Sequence, residues 1–174
     1  VINAPGINAN AVAELTVGLI IDMLRGITQL HMAMTKGQWV RALGSELEGR
    51  TVGLMGFGAI AKLVAKKLQG FDVKVLAYDL YPDHETAKRY GVELVTADEV
   101  IEKSDILSIH VPSTPETFHM FDDAVFARMK PGAYLVNAAR GAIVDTQALL
   151  RALNTGRLAG AALDAFENEP LKAD

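Results

Sequence analysis

From residue 51 onward, short apolar segments alternate with amphipathic segments of helical period. The apolar segments are rich in Val, Ile and Leu and too short for helices, which is typical of strands that are buried on both faces. Strands that alternate with helices indicate a parallel sheet with helices packed on both sides. We therefore predict a doubly wound α/β fold, with strands at 51–55, 73–78, 106–109, 133–136 and 158–163 and helices at 59–69, 84–90, 97–103, 122–128 and 145–154.

The composition suits one ordinary domain and excludes several classes of function. The chain has 174 residues and a net charge of −4, with no basic block that could hold a phosphate backbone. It contains no cysteine, which excludes a disulfide framework, cysteine–zinc sites, iron–sulfur clusters and thiol chemistry. Its apolar runs are too short to cross a membrane, and no secretory signal pattern is present. We expect a cytoplasmic protein with no nucleic-acid or membrane partner.

Before the alternating region, residues 8–30 are predicted to form one long helix, which Asn8 or Asn10 can cap. Apolar residues occupy nearly every face of this helix. Such a helix needs cover on more than one side, from its own domain and from a second surface. The following segment, 31–48, is interpreted as a connector or a short helical excursion.

A glycine-rich turn joins the first predicted strand to the helix that follows it. Gly56, Gly58 and Ala61 fit the pattern G-x-G-x-x-G/A. The first glycine allows a tight turn, the second lets a pyrophosphate approach bare backbone, and a small third residue lets helix and strand pack closely. The helix N-terminus would supply amide donors for the diphosphate. A structural turn without a ligand is the alternative. A P-loop is excluded because Ala59 and Ile60 replace its Lys and Ser or Thr.

Asp79 ends the next predicted strand, about 20 residues after Gly58, where a Rossmann-type dinucleotide-binding fold carries the acid that binds the adenosine ribose. Its carboxylate would repel a 2′-phosphate, and residues 80–82 offer no compensating cation. The sequence therefore favours NAD over NADP. A plain turn residue at a strand end is the alternative for Asp79.

Further candidate residues follow later predicted strands, at the edge where open α/β sheets bind ligands. Val111 and Pro112 begin a loop, with Thr117 nearby, that could lie along the ribose and nicotinamide. Arg140 directly follows another strand, and its planar guanidinium suits a substrate carboxylate. An ion pair between Arg140 and Asp145, or another acid, is the alternative.

Three acids follow the last predicted strand. Asp164, directly at the strand end, is well placed to meet a cofactor carboxamide. A solvated turn is the expectation for Glu167, whereas Glu169 could orient a histidine. The four histidines have no metal-ligand spacing, and the chain has no G-x-S-x-G nucleophile turn. Surface or packing roles are therefore expected for most of the histidines.

Taken in order, these segments resemble the NAD-binding domain of the D-isomer-specific 2-hydroxyacid dehydrogenases. The resemblance runs across nearly the whole chain, and several motifs in order are far more specific than any one of them. The residues that carry it are Asn3-Ala4-Pro5-Gly6, Ala13-Glu14, Gly56-Phe57-Gly58-Ala59-Ile60, Asp79, His110-Val111-Pro112, Met129-Lys130-Pro131-Gly132, Asn137-Ala138-Ala139-Arg140-Gly141, Val144-Asp145 and Leu163-Asp164-Ala165-Phe166-Glu167-Asn168-Glu169-Pro170.

The resemblance implies NAD as cofactor and hydride transfer between C4 of nicotinamide and C2 of a 2-hydroxy acid. Arg140 matches the family arginine that binds the substrate carboxylate and polarises the 2-oxo oxygen. Glu169 matches the glutamate that pairs with the catalytic histidine, the general acid and base of the reaction. The implied cofactor contacts are Gly56, Gly58, Ala59, Ile60, Asp79, Val111, Pro112, Thr117, Ala138, Ala139, Arg140 and Asp164.

Three departures from the family pattern matter. Ala61 replaces the third glycine, which the pattern permits. Ala138 stands where members often carry a hydroxyl or thiol, so one side-chain contact to the cofactor is expected to be missing. No histidine of the chain matches the catalytic one, which we expect beyond Asp174, and we expect the substrate domain before Val1. Residues 1–174 are therefore expected to be the dinucleotide-binding domain of a larger enzyme, inactive alone.

The resemblance also implies a homodimer in which helix 8–30 forms a two-fold interface, with the substrate domain as the alternative cover for that helix. Phosphoglycerate is the first expectation for substrate. Hydroxypyruvate, glyoxylate and D-lactate also fit, whereas Glu169 argues against the formate branch. Two other hypotheses are a dinucleotide-sensing binding protein of the corepressor type and a structural module with no ligand.

Overall fold

The structure, a computed structural model, describes residues 6–41 and 43–171. Residues 3–5, which open the family resemblance, lie outside this part of the chain. The described helices and strands are α1 (Ala9–Arg25), α2 (Ile27–Thr35), β1 (Thr51–Met55), α3 (Ala59–Leu68), β2 (Lys74–Tyr78), α4 (His84–Arg89), β3 (Val92–Leu94), α5 (Ala97–Lys103), β4 (Ile106–Ile109), α6 (Asp123–Arg128), β5 (Ala133–Asn137), α7 (Thr146–Asn154) and β6 (Leu158–Leu163), with short 3₁₀ turns at Gln69–Phe71 and Gly141–Ile143.

The strands form one parallel sheet in the order β3-β2-β1-β4-β5-β6. Helices α1 and α3 pack on one face, and α5, α6 and α7 pack on the other. Successive strand residues alternate between these two cores, as Leu54 and Met55 do in β1. The predicted doubly wound, Rossmann-type α/β fold is confirmed. The strand order reverses between β1 and β4, so a crevice opens there at the carboxyl ends of the strands.

The boundaries of the alternating region agree closely with the sequence prediction. The strands predicted at 51–55, 106–109 and 158–163 have the observed bounds, and β5 extends one residue further, to Asn137. One strand, β3, is missing from the prediction. It has three residues and the charged Glu93 at its centre, because it lies at the edge of the sheet and pairs only with β2. So short a segment shows no recognisable strand period.

The prediction of one helix over residues 8–30 is wrong. The chain breaks at Gly26, which adopts the left-handed conformation with φ of 62° and whose N–H donates to the Asp22 carbonyl. Glycine ends helices in this conformation because it has no Cβ to clash. The Asp22 carboxylate then accepts the backbone N–H and the hydroxyl of Thr28, both at 2.7 Å, and this fixes the start of α2. No described helix is long and apolar enough to cross a membrane.

The segment predicted as a connector at 31–48 is helical in its first part, because α2 continues to Thr35. The remainder, as far as it is described, has no helix or strand. Helix α1 buries Ala13, Val17 and Ile20 against its own domain, whereas α2 has no buried residue. The sequence predicts that a second surface covers this region, and the structure shows that α2 and the segment after it are the parts that need this cover most.

Candidate functional site

The glycine turn lies between two neighbouring strands that hold its backbone. The Gly56 N–H donates to the Tyr78 carbonyl at the end of β2, at 2.8 Å, and the His110 N–H donates to the Met55 carbonyl at 2.7 Å. Gly56 has φ of 99°, and a Cβ at this position would lie 2.8 Å from the carbonyl carbon of His110. Both the conformation and the close approach require glycine. The predicted tight turn is therefore present at the strand-order reversal.

The start of α3 is open to solvent at Gly58 and Ala59. Gly58 is the N-cap of α3 and provides no side-chain cap, and no atom lies within 4 Å of the place where its Cβ would be. The exposed backbone of Gly58 and Ala59 thus leaves amide groups free to bind phosphate oxygens. Ala61 is fully buried, so the small third residue serves helix packing. The diphosphate of a dinucleotide fits this arrangement of open amides.

Asp79 lies directly beside the glycine turn. Its carboxylate accepts the Phe57 N–H at 2.7 Å and the Tyr81 N–H at 2.8 Å. The acid thus ties the end of β2 to the glycine turn, which places a negative charge next to the open amides. The contact with a ribose remains a prediction. Gly53, in contrast, lies inside β1, where a Cβ would meet the Ser104 hydroxyl at 1.9 Å, so it belongs to the core and to no phosphate loop.

The loop after β4 begins with His110, Val111 and Pro112. The Thr117 hydroxyl donates to the Pro112 carbonyl at 2.7 Å and accepts the Thr114 N–H at 2.8 Å. This hydroxyl therefore closes the loop on itself and rigidifies it. The predicted cofactor contacts of Val111, Pro112 and Thr117 remain predictions, and the structure adds that the Thr117 hydroxyl already has two loop partners.

Arg140 is held by the side chain of Asn137, a residue to which the sequence assigned no role. Asn137 is fully buried at the end of β5, where its Nδ2 donates to the Arg140 carbonyl at 2.9 Å and its Oδ1 accepts the Ala139 N–H at 3.1 Å. The sequence does carry one signal for this role, because Asn137 places a side-chain amide at the end of a strand, directly before the residues that lead to Arg140. Ala138 is buried, and the chain bends at Ala139 before it reaches the arginine.

The guanidinium of Arg140 is exposed and donates to the Ala139 carbonyl at 2.7 Å. Among the residues that the structure describes, no carboxylate forms an ion pair with Arg140. Asp145, the acid named as its alternative partner, accepts the N–H groups of Gln147 and Ala148 and caps α7. The guanidinium is thus free to bind an anion from outside this part of the chain.

The segment after β6 packs directly on residues 138–141, which follow β5 and are called the arginine loop below. A Cβ on Gly141 would lie 1.9 Å from the carbonyl carbon of Phe166, so only glycine permits the contact between these two backbones. The Asp164 N–H donates to the Asn137 carbonyl at 3.0 Å, which places the exposed Asp164 after β6 beside the end of β5. Asp164 and the residues that lead to Arg140 therefore leave the sheet at neighbouring strand ends.

The expectation that Glu167 is a solvated turn residue is wrong. Its Oε1 lies 2.7 Å from Nε2 of His119, and its Oε2 accepts the Thr146 N–H at 3.2 Å. Hydrogen bonds from Thr146 and His119 hold the pKa of the Glu167 carboxyl below its usual range. Glu167 therefore joins the loop after β4, the start of α7 and the segment after β6.

Glu169 is exposed, and its Oε1 accepts the Phe166 N–H at 2.8 Å. The carboxylate is thus positioned by the backbone of its own segment. The predicted pairing of Glu169 with a histidine remains a prediction. Asp164, Glu167 and Glu169 share one short segment, and the structure places Glu167 in loop packing and leaves the other two exposed.

This geometry is matched by a known family of proteins. Residues 17–174 match the family described as "D-isomer specific 2-hydroxyacid dehydrogenase, NAD binding domain". The chain belongs to this family. Because the match is to the NAD-binding domain and covers the glycine turn, the arginine loop and the segment after β6, NAD is the cofactor of this 2-hydroxyacid dehydrogenase domain.

Individual relatives are similar over nearly the whole chain. A glyoxylate reductase from Thermofilum pendens is 47% identical over 184 aligned positions, covering 98% of this chain and 52% of that protein. A D-3-phosphoglycerate dehydrogenase from Archaeoglobus fulgidus is 41% identical over 176 positions, covering 100% of this chain and 33% of that protein. The structure of D-lactate dehydrogenase with NAD⁺ from Lactobacillus jensenii matches with a TM-score of 0.89 and 35% identity, covering 99% of this chain and 54% of that one. The chain thus spans about half or less of the length of these proteins.

His110, whose backbone packs against Gly56, yields a prediction about the stability of the protein in acid. Burial lowers the pKa of His110 to about 4 from its ordinary value of 6.5, and the ring Nε2 lies 2.9 Å from the Ser108 hydroxyl. Between these two pKa values the unfolded chain binds a proton that the folded chain does not. The free energy of unfolding should therefore fall by about 2 kcal/mol more between about pH 7 and pH 5 in the wild type than in His110→Gln.

Urea unfolding of both proteins at the two pH values measures this difference. Glutamine keeps a hydrogen-bonding group near Ser108 but does not titrate, so every other ionisable group is common to both proteins. Equal pH slopes in the wild type and the variant would show that His110 is protonated as readily in the folded chain as in the unfolded one.

Proposed function

We propose that this chain is the cofactor domain of an NAD-dependent dehydrogenase that transfers a hydride between C4 of nicotinamide and C2 of a 2-hydroxy or 2-oxo acid. The observation that carries the proposal is the exposed Arg140, which has no acidic partner among the described residues and lies one strand from the β1–β4 crevice. A cation left unpaired at the carboxyl edge of the sheet is suited to an anionic substrate.

In this proposal each residue has a distinct task. NAD supplies the hydride chemistry when it is bound. The guanidinium of Arg140 binds the substrate carboxylate and polarises the 2-oxo oxygen, and Asn137 holds the arginine backbone in place. Glu169 orients a histidine, the proton donor, which another segment contributes. The amides of Gly58, Ala59 and Ile60 at the start of α3, together with Asp79, Val111, Pro112, Thr117 and Asp164, bind the dinucleotide.

The relatives suggest two substrate classes. The 47% identical relative is named a glyoxylate reductase, which favours a small 2-oxo acid such as glyoxylate or hydroxypyruvate. The 41% identical relative is named a D-3-phosphoglycerate dehydrogenase and supports the phosphorylated acid that the sequence first suggested. The relatives described above are named as dehydrogenases or reductases, so none supports the corepressor-like alternative.

We also propose that two copies of the chain associate through α2 and the segment that follows it. This surface exposes Ile27, Met32 and Met34 on α2 and Trp39 and Leu43 beyond it, with Trp39 77% exposed. A patch of this kind on a helix with no buried residue is unfavourable in water and needs cover. A second copy supplies an identical apolar patch across a two-fold axis.

A cytoplasmic location, with no nucleic-acid or membrane partner, completes the proposal. The sequence has a net charge of −4 and no basic block that would hold a phosphate backbone or an anionic lipid, which supports this proposal. In this proposal the guanidinium of Arg140 binds a small-molecule substrate.

Replacement of Arg140 tests the catalytic proposal. Arg140→Lys keeps the charge but loses the bidentate geometry, so in the dehydrogenase that carries this domain kcat/KM for the 2-oxo acid should fall by about tenfold or more. Steady-state assays with glyoxylate, hydroxypyruvate and the phosphorylated acid at saturating NADH measure the loss and identify the substrate. Arg151→Lys, on the exposed face of α7, is the matched control. A loss no greater than in this control would remove Arg140 from the substrate site.

Cofactor binding and selectivity are tested on the 174-residue chain by fluorescence titration with NADH and NADPH. We expect saturable binding with NADH preferred, and we expect Asp79→Asn to narrow the preference by about tenfold because it removes one carboxylate beside the 2′-phosphate. Asp72→Asn, at the opposite end of β2, makes the same change of charge away from the site. An unchanged preference in Asp79→Asn would place selectivity elsewhere.

Association is tested by sedimentation of the same chain. The wild type should be dimeric, and Met32→Glu with Met34→Glu should make it monomeric because two charges cannot be buried unpaired in an interface. Leu150→Glu, on an exposed position of α7, is the matched control and should leave the dimer intact. A monomeric wild type would contradict the proposal.

A further inference from the structure

A second acid and a lysine stand close to Asp79 and the glycine turn. The Lys62 ammonium, on the first turns of α3, lies 2.6 Å from Oδ2 of Asp83 and 5.9 Å from the centre of the Phe57 ring. The backbone of the same Phe57 donates to the Asp79 carboxylate. Phe57 therefore lies between the two groups in space: its ring faces the Lys62 ammonium and its N–H binds Asp79, the acid that is expected to meet the adenosine ribose.

We propose that the Lys62–Asp83 ion pair is a second determinant of dinucleotide selectivity. Asp83 pairs with the Lys62 ammonium, which would otherwise bind the 2′-phosphate of NADP(H). This inference rests on the proposed role of Asp79 at the ribose. It assigns to Asp83 an action through Lys62, so Asp83 is a positioning residue that need not touch the cofactor.

The position of Asp83 is fixed by more than the ion pair. Its carboxylate caps α4, accepting the Thr86 N–H at 3.0 Å and the Thr86 hydroxyl at 2.7 Å. The Lys62 ammonium and the Thr86 hydrogen bonds hold the pKa of the Asp83 carboxyl well below its usual range. The acid is therefore ionised at neutral pH, and the Thr86 hydrogen bonds hold it where it pairs with Lys62.

The charges of the cluster set the preference. Asp79, Asp83 and Lys62 together carry one net negative charge, which repels a 2′-phosphate and tolerates a ribose hydroxyl. Neutralising Asp79 alone leaves the ion pair, with no net charge. Neutralising both acids leaves an unpaired ammonium on a side chain that is 30% exposed, which can make a charge-assisted contact with the phosphate that weakens as salt is added.

The test uses the 174-residue chain and three nested variants: Asp79→Asn, Asp79→Asn with Asp83→Asn, and both of these with Lys62→Gln. Asparagine is a good N-cap, so the second change keeps the start of α4. Dissociation constants for NADPH and NADH are measured by fluorescence at low and high salt. When Asp83→Asn is added to Asp79→Asn, we expect the dissociation constant for NADPH to fall by about tenfold, the size of one charge-assisted hydrogen bond. The dissociation constant for NADH should change by less than about twofold. The gain should disappear with Lys62→Gln and shrink at high salt.

Other outcomes overturn the inference in distinguishable ways. If Asp83→Asn does not tighten NADPH, the freed ammonium does not reach the 2′-phosphate. If the gain persists without Lys62, Asp83 repels the phosphate directly and the lysine has no role. Asp83→Ser, a second capping residue of smaller size, must reproduce the effect of asparagine and replaces it if that variant unfolds. Failure of the wild type to bind NADH would instead overturn cofactor binding by this chain, and failure of Asp79→Asn alone to change the preference would overturn the role of Asp79.

Discussion

The contact between two backbones at Gly56 and His110 is the constraint on which the site depends. The turn after β1 and the loop after β4 leave the sheet side by side, and the missing Cβ of Gly56 lets them approach to van der Waals distance. This contact directs the chain after β1 into α3 and leaves the first amides of α3 facing the crevice at the strand-order reversal. Asp79, the loop after β4 and the arginine loop are then arranged around that crevice by the order of the strands.

Most of the fold could be predicted from the sequence because its central strands are buried on both sides and read as uninterrupted apolar runs. The sequence-based prediction was wrong in places where the strands or helices are no longer buried on both sides. Strand β3 at the sheet edge is too short and too polar to show a period, and the helix break at Gly26 interrupts an apolar pattern that continues on both sides of it. A single glycine inside a helical pattern is often tolerated, so the pattern alone does not show the break, which depends on the left-handed Gly26 and the Asp22–Thr28 hydrogen bonds of the folded chain.

The candidate site was predictable where the backbone itself carries the pattern, as at Gly56, Gly58 and Asp79. It was not predictable where distant side chains meet. The pairing of Glu167 with His119 spans 48 positions of the chain, and nothing near either residue indicates it. Asn137 illustrates a third case, because its amide serves the two residues that follow it, and the local sequence shows the residue type but not the burial that makes the bonds strong.

The close packing of Gly141 on Phe166 makes the arginine loop and the segment after β6 a single mechanical unit. Asn137 binds this unit from the sheet side, and Glu167 fastens it to the loop after β4. Such a unit can be transplanted between related proteins only as a whole. A graft of the segment after β6 that keeps the host's arginine loop has to satisfy a contact in which not even one methyl group fits.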